Sequence, residues 1–444
     1  MSMPTSFREY NPDQMLLLPP SLREWLPEGH LAYFVSDMVD RFDISSFYAE
    51  YEGDGRRNQP FEPRMMVKVL LYGYATGVFS SRKLARKLHE DVAFRVLAAG
   101  NFPSHRTLCD FRLKHLAEFE ALFVQVVRLS KEAGLVKLGS LVIDGSKIRA
   151  DASKHKAMSY GRMNKEEKRL QEEIHELLER AQAVDVEEDA RLGTDNSGDE
   201  IPEELHRRET RLKKIEEAKQ RLEQRQAEAD REQGRHPDDE RKSSKGGKDF
   251  SRDFGVPPDK AQDNFTDHES RIMKGPDGFQ QSYSAQAGVD AGHQIIVAAE
   301  LTQCAADSNQ LLPVIEAAQV NTSLKPQEVL ADAGYRSEKN FLGLESRQID
   351  GCVAIGREGK KLLTKHAADS LPATRRMQEK LASESGKKRY ARRKAIVEPV
   401  FGWAKEILGF RQFSLRGFDK ARAEWRMICL VLNIRRMRVV LATA

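Results

Sequence analysis

Apolar residues recur every three or four positions from about His30 to Gly134, first in HLAYFVSDMVDRF and then in PRMMVKVLLYGYATG, which predicts an all-α region. Two of its segments, SSRKLARKLHED and SHRTLCDFRLKHL, open on serines suited to N-caps. They carry Arg82, Lys83, Arg86 and Lys87, then His105, Arg106, Arg112 and Lys114, at polar positions. Two short basic helices joined through Asn101-Phe102-Pro103 suggest a helix-turn-helix layout. DNA contact and an ordinary solvated bundle surface both suit it.

The period then changes. LGSLVIDGSKIRADAS contains the short apolar run Leu141-Val142-Ile143, a buried strand that ends in Asp144. From Asn164 to Gln233 the chain is dominated by Glu, Arg, Lys, Gln and Leu, with one seam at Leu170, Ile174, Leu177 and Ala181 and a second at Leu205, Leu212, Ile215 and Leu222. GTDNSGDEIP lies between the seams and has the composition of a turn, so an antiparallel helical hairpin is expected, followed by the linker HPDDERKSSKGGKDF. Strand character resumes in FQQSYSAQAGVDAGHQIIVAAELT, two runs around the turn Asp290-Ala291-Gly292-His293. Short apolar runs at EVLADAGY and GCVAIG then alternate with helical segments, the last being RYARRKAIVEPVFGWAKEIL.

Strands that first form a hairpin and then alternate with helices predict an α/β mixed sheet flanked by helices. The expected organisation is a helical region over 1–135, an α/β domain over 136–160 and 246–410 interrupted by the charged insertion 161–245, and a basic helix over 411–444. At 444 residues the chain is too long for one ordinary core. Net charge adds little, because 72 Lys and Arg face 68 Asp and Glu. Cys109, Cys304, Cys352 and Cys429 are too scattered for a zinc site or a disulfide framework, which suits a reducing cytoplasm. No apolar run approaches the length of a membrane span, so no membrane partner is expected.

Candidate chemistry gathers at carboxylates. Asp144 and Asp332 each stand where a strand gives way to a turn, and the carboxyl ends of strands are where ligands collect in such sheets. Glu398 lies in a helix whose apolar face is Val397, Val400, Phe401 and Ala404, with Lys394 and Lys405 on the same stripe. Three converging carboxylates suit Mg²⁺ or Mn²⁺, and such ions serve phosphoryl transfer. A turn aspartate, a helix-entry aspartate and a surface ion pair are the plain structural alternatives. Arg375, Arg376, Lys387, Lys388, Arg389, Arg392, Arg393 and Lys394 crowd the stretch before Glu398, a patch suited to phosphates, with Tyr390 beside it. Asp151, Asp290 and Asp307 read as a neighbouring acid, a turn residue and a helix cap, and Trp403 and Trp425 as core.

LVIDGSKIRADASKHKAMSYGRM, VLADAGYRSEKNF and YARRKAIVEPVFGWAK together resemble the three motifs of the DDE-type transposases of bacterial insertion sequences. The resemblance extends over almost the whole chain, as far as GFRQFSLRGFDKARAEWRMICLVLNI. It implies an RNase H-like catalytic domain in which Asp144, Asp332 and Glu398 bind Mg²⁺, cleavage at transposon ends, and transfer of a 3′-hydroxyl to target DNA by a homo-oligomer in a synaptic complex. In related groups the last motif is a Tyr, Arg, Glu, Lys series. Tyr390 with Arg393, and Glu398 with Lys405, keep its spacing, but Arg393 is one residue too far from Glu398 and Lys394 stands at the arginine's distance. A metal-dependent nuclease that cuts without joining, and a remnant that binds DNA without catalysis, are the rival functions.

Overall fold

The computed structural model describes residues 21–51, 60–192, 203–237, 252–275, 278–356 and 371–442. The loop at 193–202 and the linker from 238 to 251 lie outside the described residues. Two units are distinguished, Met1–Glu118 with Ile434–Ala444, and Phe119–Asn433.

The first unit is helical, with α1 (Leu31–Arg41), α2 (Pro63–Ala75), α3 (Ser81–Glu90), α4 (Val92–Leu97) and α5 (His105–Lys114). Buried α2 starts on Pro63, and its cap Glu62 accepts from the Met65 N–H at 2.8 Å. Gly73 lets α3 approach closely, since a Cβ there would stand 2.3 Å from Leu84 Cδ2. Ser104 caps α5 by accepting from the Thr107 N–H at 3.1 Å, whereas Ser80 precedes α3 without a side-chain cap.

The second unit, which takes in most of α6 (Leu116–Glu132), is built on a mixed sheet. Its strands are β1 (Ser140–Arg149), β4 (Arg271–Gly275), β5 (Gly278–Asp290), β6 (Ile296–Thr302), β7 (Glu328–Ala331) and β8 (Asp350–Val353); β2 (Ala157–Ser159) and β3 (Gln262–Asn264) form a small separate pair. Central β1 pairs antiparallel with β5 and parallel with β7, β7 pairs parallel with β8, and β5 carries both β4 and β6 along its other edge. The mixed sheet flanked by helices agrees with the RNase H-like expectation.

Helices α7 (Tyr160–Leu192) and α8 (Glu203–Glu232) leave the sheet after β2 and return before β3. Leu170, Ile215, Ala218 and Leu222 form their shared core with Tyr160 and Met163. The buried Asp263 of β3 ties down their base by accepting from Arg221 at 2.8 Å and Arg225 at 2.5 Å. The remaining helices are α9 (Leu311–Thr322), α10 (Glu338–Ser346), α11 (Pro372–Ala382), α12 (Glu384–Gly402) and α13 (Phe418–Ala442). Helix α12 lies over β1, and Phe401 at its end stacks on the buried Trp425 of α13 with ring centroids 6.0 Å apart. Trp425 is therefore core, and its Nε1–H donates to the Gln286 carbonyl at 3.0 Å.

Candidate active site

Strand alternation decides what each side chain of β1 can meet. Leu141, Val142 and Ile143 are fully buried, and the next residue, Asp144, extends toward α12. Its partner across the antiparallel ladder is Ala287, a small side chain. On the other side, the parallel register of Ile143 with Ala331 places Asp332, the first residue beyond β7, level with Asp144. Asp332 caps the turn Ala333–Tyr335, accepting from the Gly334 N–H at 2.8 Å.

Arg393 of α12 completes the arrangement. Its guanidinium donates to Asp144 at 3.0 Å and reaches to 3.8 Å from Glu398, so one cation stands between two of the three carboxylates. Burial pushes the Asp144 carboxyl up to about 6, the charge of Asp332 adds to that, and Arg393 and the Gly145 N–H oppose it. Glu398 is more open, with its side chain 54% exposed. Two residues along β1 on the same face as Asp144, Ser146 accepts from Lys405. Lys405 lies in a single π turn, Trp403–Ile407, that follows α12, and burial lowers its ammonium pKa.

The other basic residues are distributed unevenly. Tyr390 is half-buried, Lys394 is exposed, and Arg392 is exposed at 3.9 Å from Glu328. Although Lys394 has the spacing expected of the motif's arginine, Arg393 is the residue that reaches the carboxylates. The stretch before Glu398 is also less free than its composition suggests: Arg375 pairs with Glu379, Arg376 with Glu345, Lys387 with Glu384, and Arg389 with Glu328 and Asp350. In the helical unit, Arg82, Arg86 and Arg106 are exposed. Arg112 is a correction to the sequence reading, being 4% exposed with its guanidinium donating to Tyr74 Oη and the Phe79 carbonyl, each at 2.9 Å. It holds the interior of the bundle and has no surface to offer a phosphate.

A second polar group, on the opposite face of β1, has no counterpart in the sequence reading. Lys147 donates to Asp307 at 2.9 Å and to Ser284 at 2.8 Å, while Gln286 donates to Asp307 at 2.8 Å and accepts from Tyr335. Asp307 thus serves as an acceptor for β1 and β5, and its part in the turn before α9 is made by its carbonyl, which accepts from the Gln310 N–H. The available signal was the alternation of the polar residues Gln280, Ser282, Ser284 and Gln286 along β5. Asp290 is the expected turn residue, accepting from Gly292 and from Leu138. Asp151 pairs with Arg416 at 2.8 Å.

The donor set of Asp144, Asp332 and Glu398 is entirely carboxylate oxygen, the chemistry that Mg²⁺ and Mn²⁺ take. The charge of Asp332 is close enough to disfavour that of Asp144, which an added cation would relieve. Among the described residues no three such side chains already stand at coordinating distance, and Arg393 supplies the positive charge there. The residues fit an ion in kind.

Comparison with known families gives two matches. Residues 251–434 match the family described as Transposase DDE domain, and residues 20–114 match one described as Transposase domain (DUF772). No curated protein and no solved structure matches the chain. The first match spans Asp332, Arg393, Glu398 and Lys405 but begins well after Asp144. The parallel register of β1 and β7 brings that aspartate level with Asp332, and Arg393 links it to Glu398. No helix among the described residues is long and apolar enough to cross a membrane.

Proposed function

From the premise that this chain belongs to the DDE-type transposases of insertion sequences, we propose that it binds the ends of its element and cuts and joins DNA through Asp144, Asp332 and Glu398. The observation that carries this reading is Arg393 standing between Asp144 and Glu398, with Asp332 level with Asp144 across the β1–β7 register. A turn aspartate and an isolated surface pair do not account for a half-buried carboxyl ion-paired to Arg393 beside a second aspartate, although Asp332 does cap the turn that follows it.

The three carboxylates would hold Mg²⁺, or Mn²⁺ in its place. The bound ion supplies a more acidic attacking hydroxyl and charge stabilisation for the leaving oxygen of the phosphodiester. The chain's own residues do the rest by placement. Arg393 keeps Asp144 and Glu398 oriented toward a common point. Lys405, held to Ser146 of β1, would meet a backbone phosphate next to the scissile one, and Tyr390, Arg392 and Lys394 would extend that contact along α12. The exposed Arg82, Arg86 and Arg106 of the helical unit would hold terminal-repeat DNA. Two ends cut in one complex require more than one copy, so the working form would be a homo-oligomer, in the cytoplasm with the nucleoid.

The test uses the purified protein, Mg²⁺ and a plasmid carrying the gene's native flanks, with Asp144→Ala, Asp332→Ala and Glu398→Ala in parallel. Defined nicks at both flanks and joined products, lost in all three variants, are the expected result. Cutting without joining would favour the nuclease reading, and salt-sensitive binding without cutting would favour a non-catalytic remnant. Cleavage that survives one substitution removes that residue from the triad.

A further inference from the structure

Glu398 is followed by Pro399, which lies inside α12. Proline has no N–H to donate, so the Ala395 carbonyl one turn earlier loses its helical partner. That carbonyl accepts instead from Gln294 Nε2 at 2.9 Å, and the same amide lies 3.3 Å from the Ile396 carbonyl. Gln294 belongs to the turn between β5 and β6, far from α12 in sequence. Its φ is +57°, a left-handed conformation that usually selects glycine or asparagine.

The turn that holds Gln294 is itself pinned. The Gln294 N–H donates to the Asp290 carbonyl at 3.1 Å, and the buried Asp290 carboxylate accepts from Gly292 at 2.9 Å and from Leu138, just before β1, at 2.7 Å. One short path therefore links the backbone leading into β1, which carries Asp144, to the helical turn between Arg393 and Glu398.

We infer that Gln294 is a positioning residue for the metal-binding carboxylates: by satisfying the carbonyl that Pro399 frees, it fixes the broken turn of α12 that presents Glu398 and Arg393 to Asp144. The inference rests on the proposed role of Glu398. It goes further by assigning the proline break and a turn outside the three motifs a part in metal affinity.

The test measures Mn²⁺ binding to the full chain by calorimetry, together with amide hydrogen exchange of the segment around Ala395–Val400. Gln294→Ala is expected to weaken Mn²⁺ binding about tenfold, the effect typical of groups that orient metal ligands, and to speed exchange in that segment. Gln294→Lys, which keeps a donor of similar reach, should restore most of both; Gln294→Glu, which has none, should not. Pro399→Ala supplies the missing N–H, so it should rescue Gln294→Ala. Wild-type Mn²⁺ affinity in Gln294→Ala, or losses in the two single variants that simply add, would overturn the inference. Were the wild-type chain itself to bind no Mn²⁺, the proposed triad would fail and the positioning role with it, while the exchange measurement would still report whether Gln294 holds the helix.

Discussion

The two faces of β1 carry opposite electrostatic arrangements. On one face the strand contributes the carboxylate Asp144, and the cations Arg393 and Lys405 come to it from α12 and the π turn. On the other the strand contributes the cation Lys147, and the carboxylate Asp307 comes to it from the segment after β6. Asp307 accepts from Lys147, Ser284 and Gln286, three donors fixed by two strands. Asp144 has one guanidinium and the N–H of its own neighbour, with the second aspartate close by. A carboxylate with enough donors is structural, whereas one left short of positive charge is prepared to take a cation.

The largest effect should separate the faces outright. Asp144→Asn, Asp332→Asn and Glu398→Gln are expected to lower end cleavage by roughly a thousandfold or more while the chain stays folded, since each removes one of the proposed ion ligands. Asp307→Asn should act on stability, lowering the unfolding midpoint while Mn²⁺ still binds. Calorimetry and a cleavage gel on the four proteins decide this, and an inactive but stable Asp307→Asn would move that face into the active site.

Arg393→Ala comes next. Leaving Asp144 buried without its cation should cost about 3 kcal/mol in the absence of metal. Divalent ion should recover part of that, so the rise in melting temperature on adding Mg²⁺ should exceed that of the wild type. An equal rise in both would show that Arg393 does not stand in for the ion.

The pH dependence of Asp144 has a definite sign. Its folded pKa, about 6, lies above the ordinary 3.8 of an aspartate, so the folded state holds the extra proton between those values and stability falls as pH rises through that window. In chelator, Asp144→Asn should therefore gain on the wild type from about pH 4 to pH 6 and keep that gain above, by at most about 3 kcal/mol. A difference that stays flat across this range would mean that Asp144 is already fully compensated.

The smallest effect applies the same contrast, buried against exposed, to two arginines of α5. Arg106→Ala should reduce the salt dependence of binding to terminal-repeat DNA by about one counterion. Arg112→Ala should leave that slope unchanged and lower stability by about 2 kcal/mol, through the loss of its buried hydrogen bonds to the Tyr74 hydroxyl and the Phe79 carbonyl. Unfolding curves and binding isotherms at several salt concentrations measure both.

Local pattern was enough for α1, α2, α3 and α5 of the first unit, the start of β1, the β5–β6 hairpin, the paired helices α7 and α8, and the three carboxylates as candidates. Each depends on period or on turn chemistry that neighbouring residues carry. Helix α4 between the two basic helices was missed, and β1 runs past Asp144 to Arg149 rather than ending there. The edge strand β4 escaped because RIMKG is too short and too polar to show alternation. Arg112 was misplaced because a basic residue on a short helix looks the same whether a tyrosine and a carbonyl wait inside or water waits outside. The choice of Arg393 over Lys394 depended on how α12 lies across β1, and Gln294 was invisible beside Pro399 because about a hundred residues separate the donor from the orphaned carbonyl. Residue types and local periods were determined by the sequence alone. Which acid received enough donors, and which was left short of positive charge, was decided only when the sheet paired β1 with β5 and β7 and laid α12 across one of its faces.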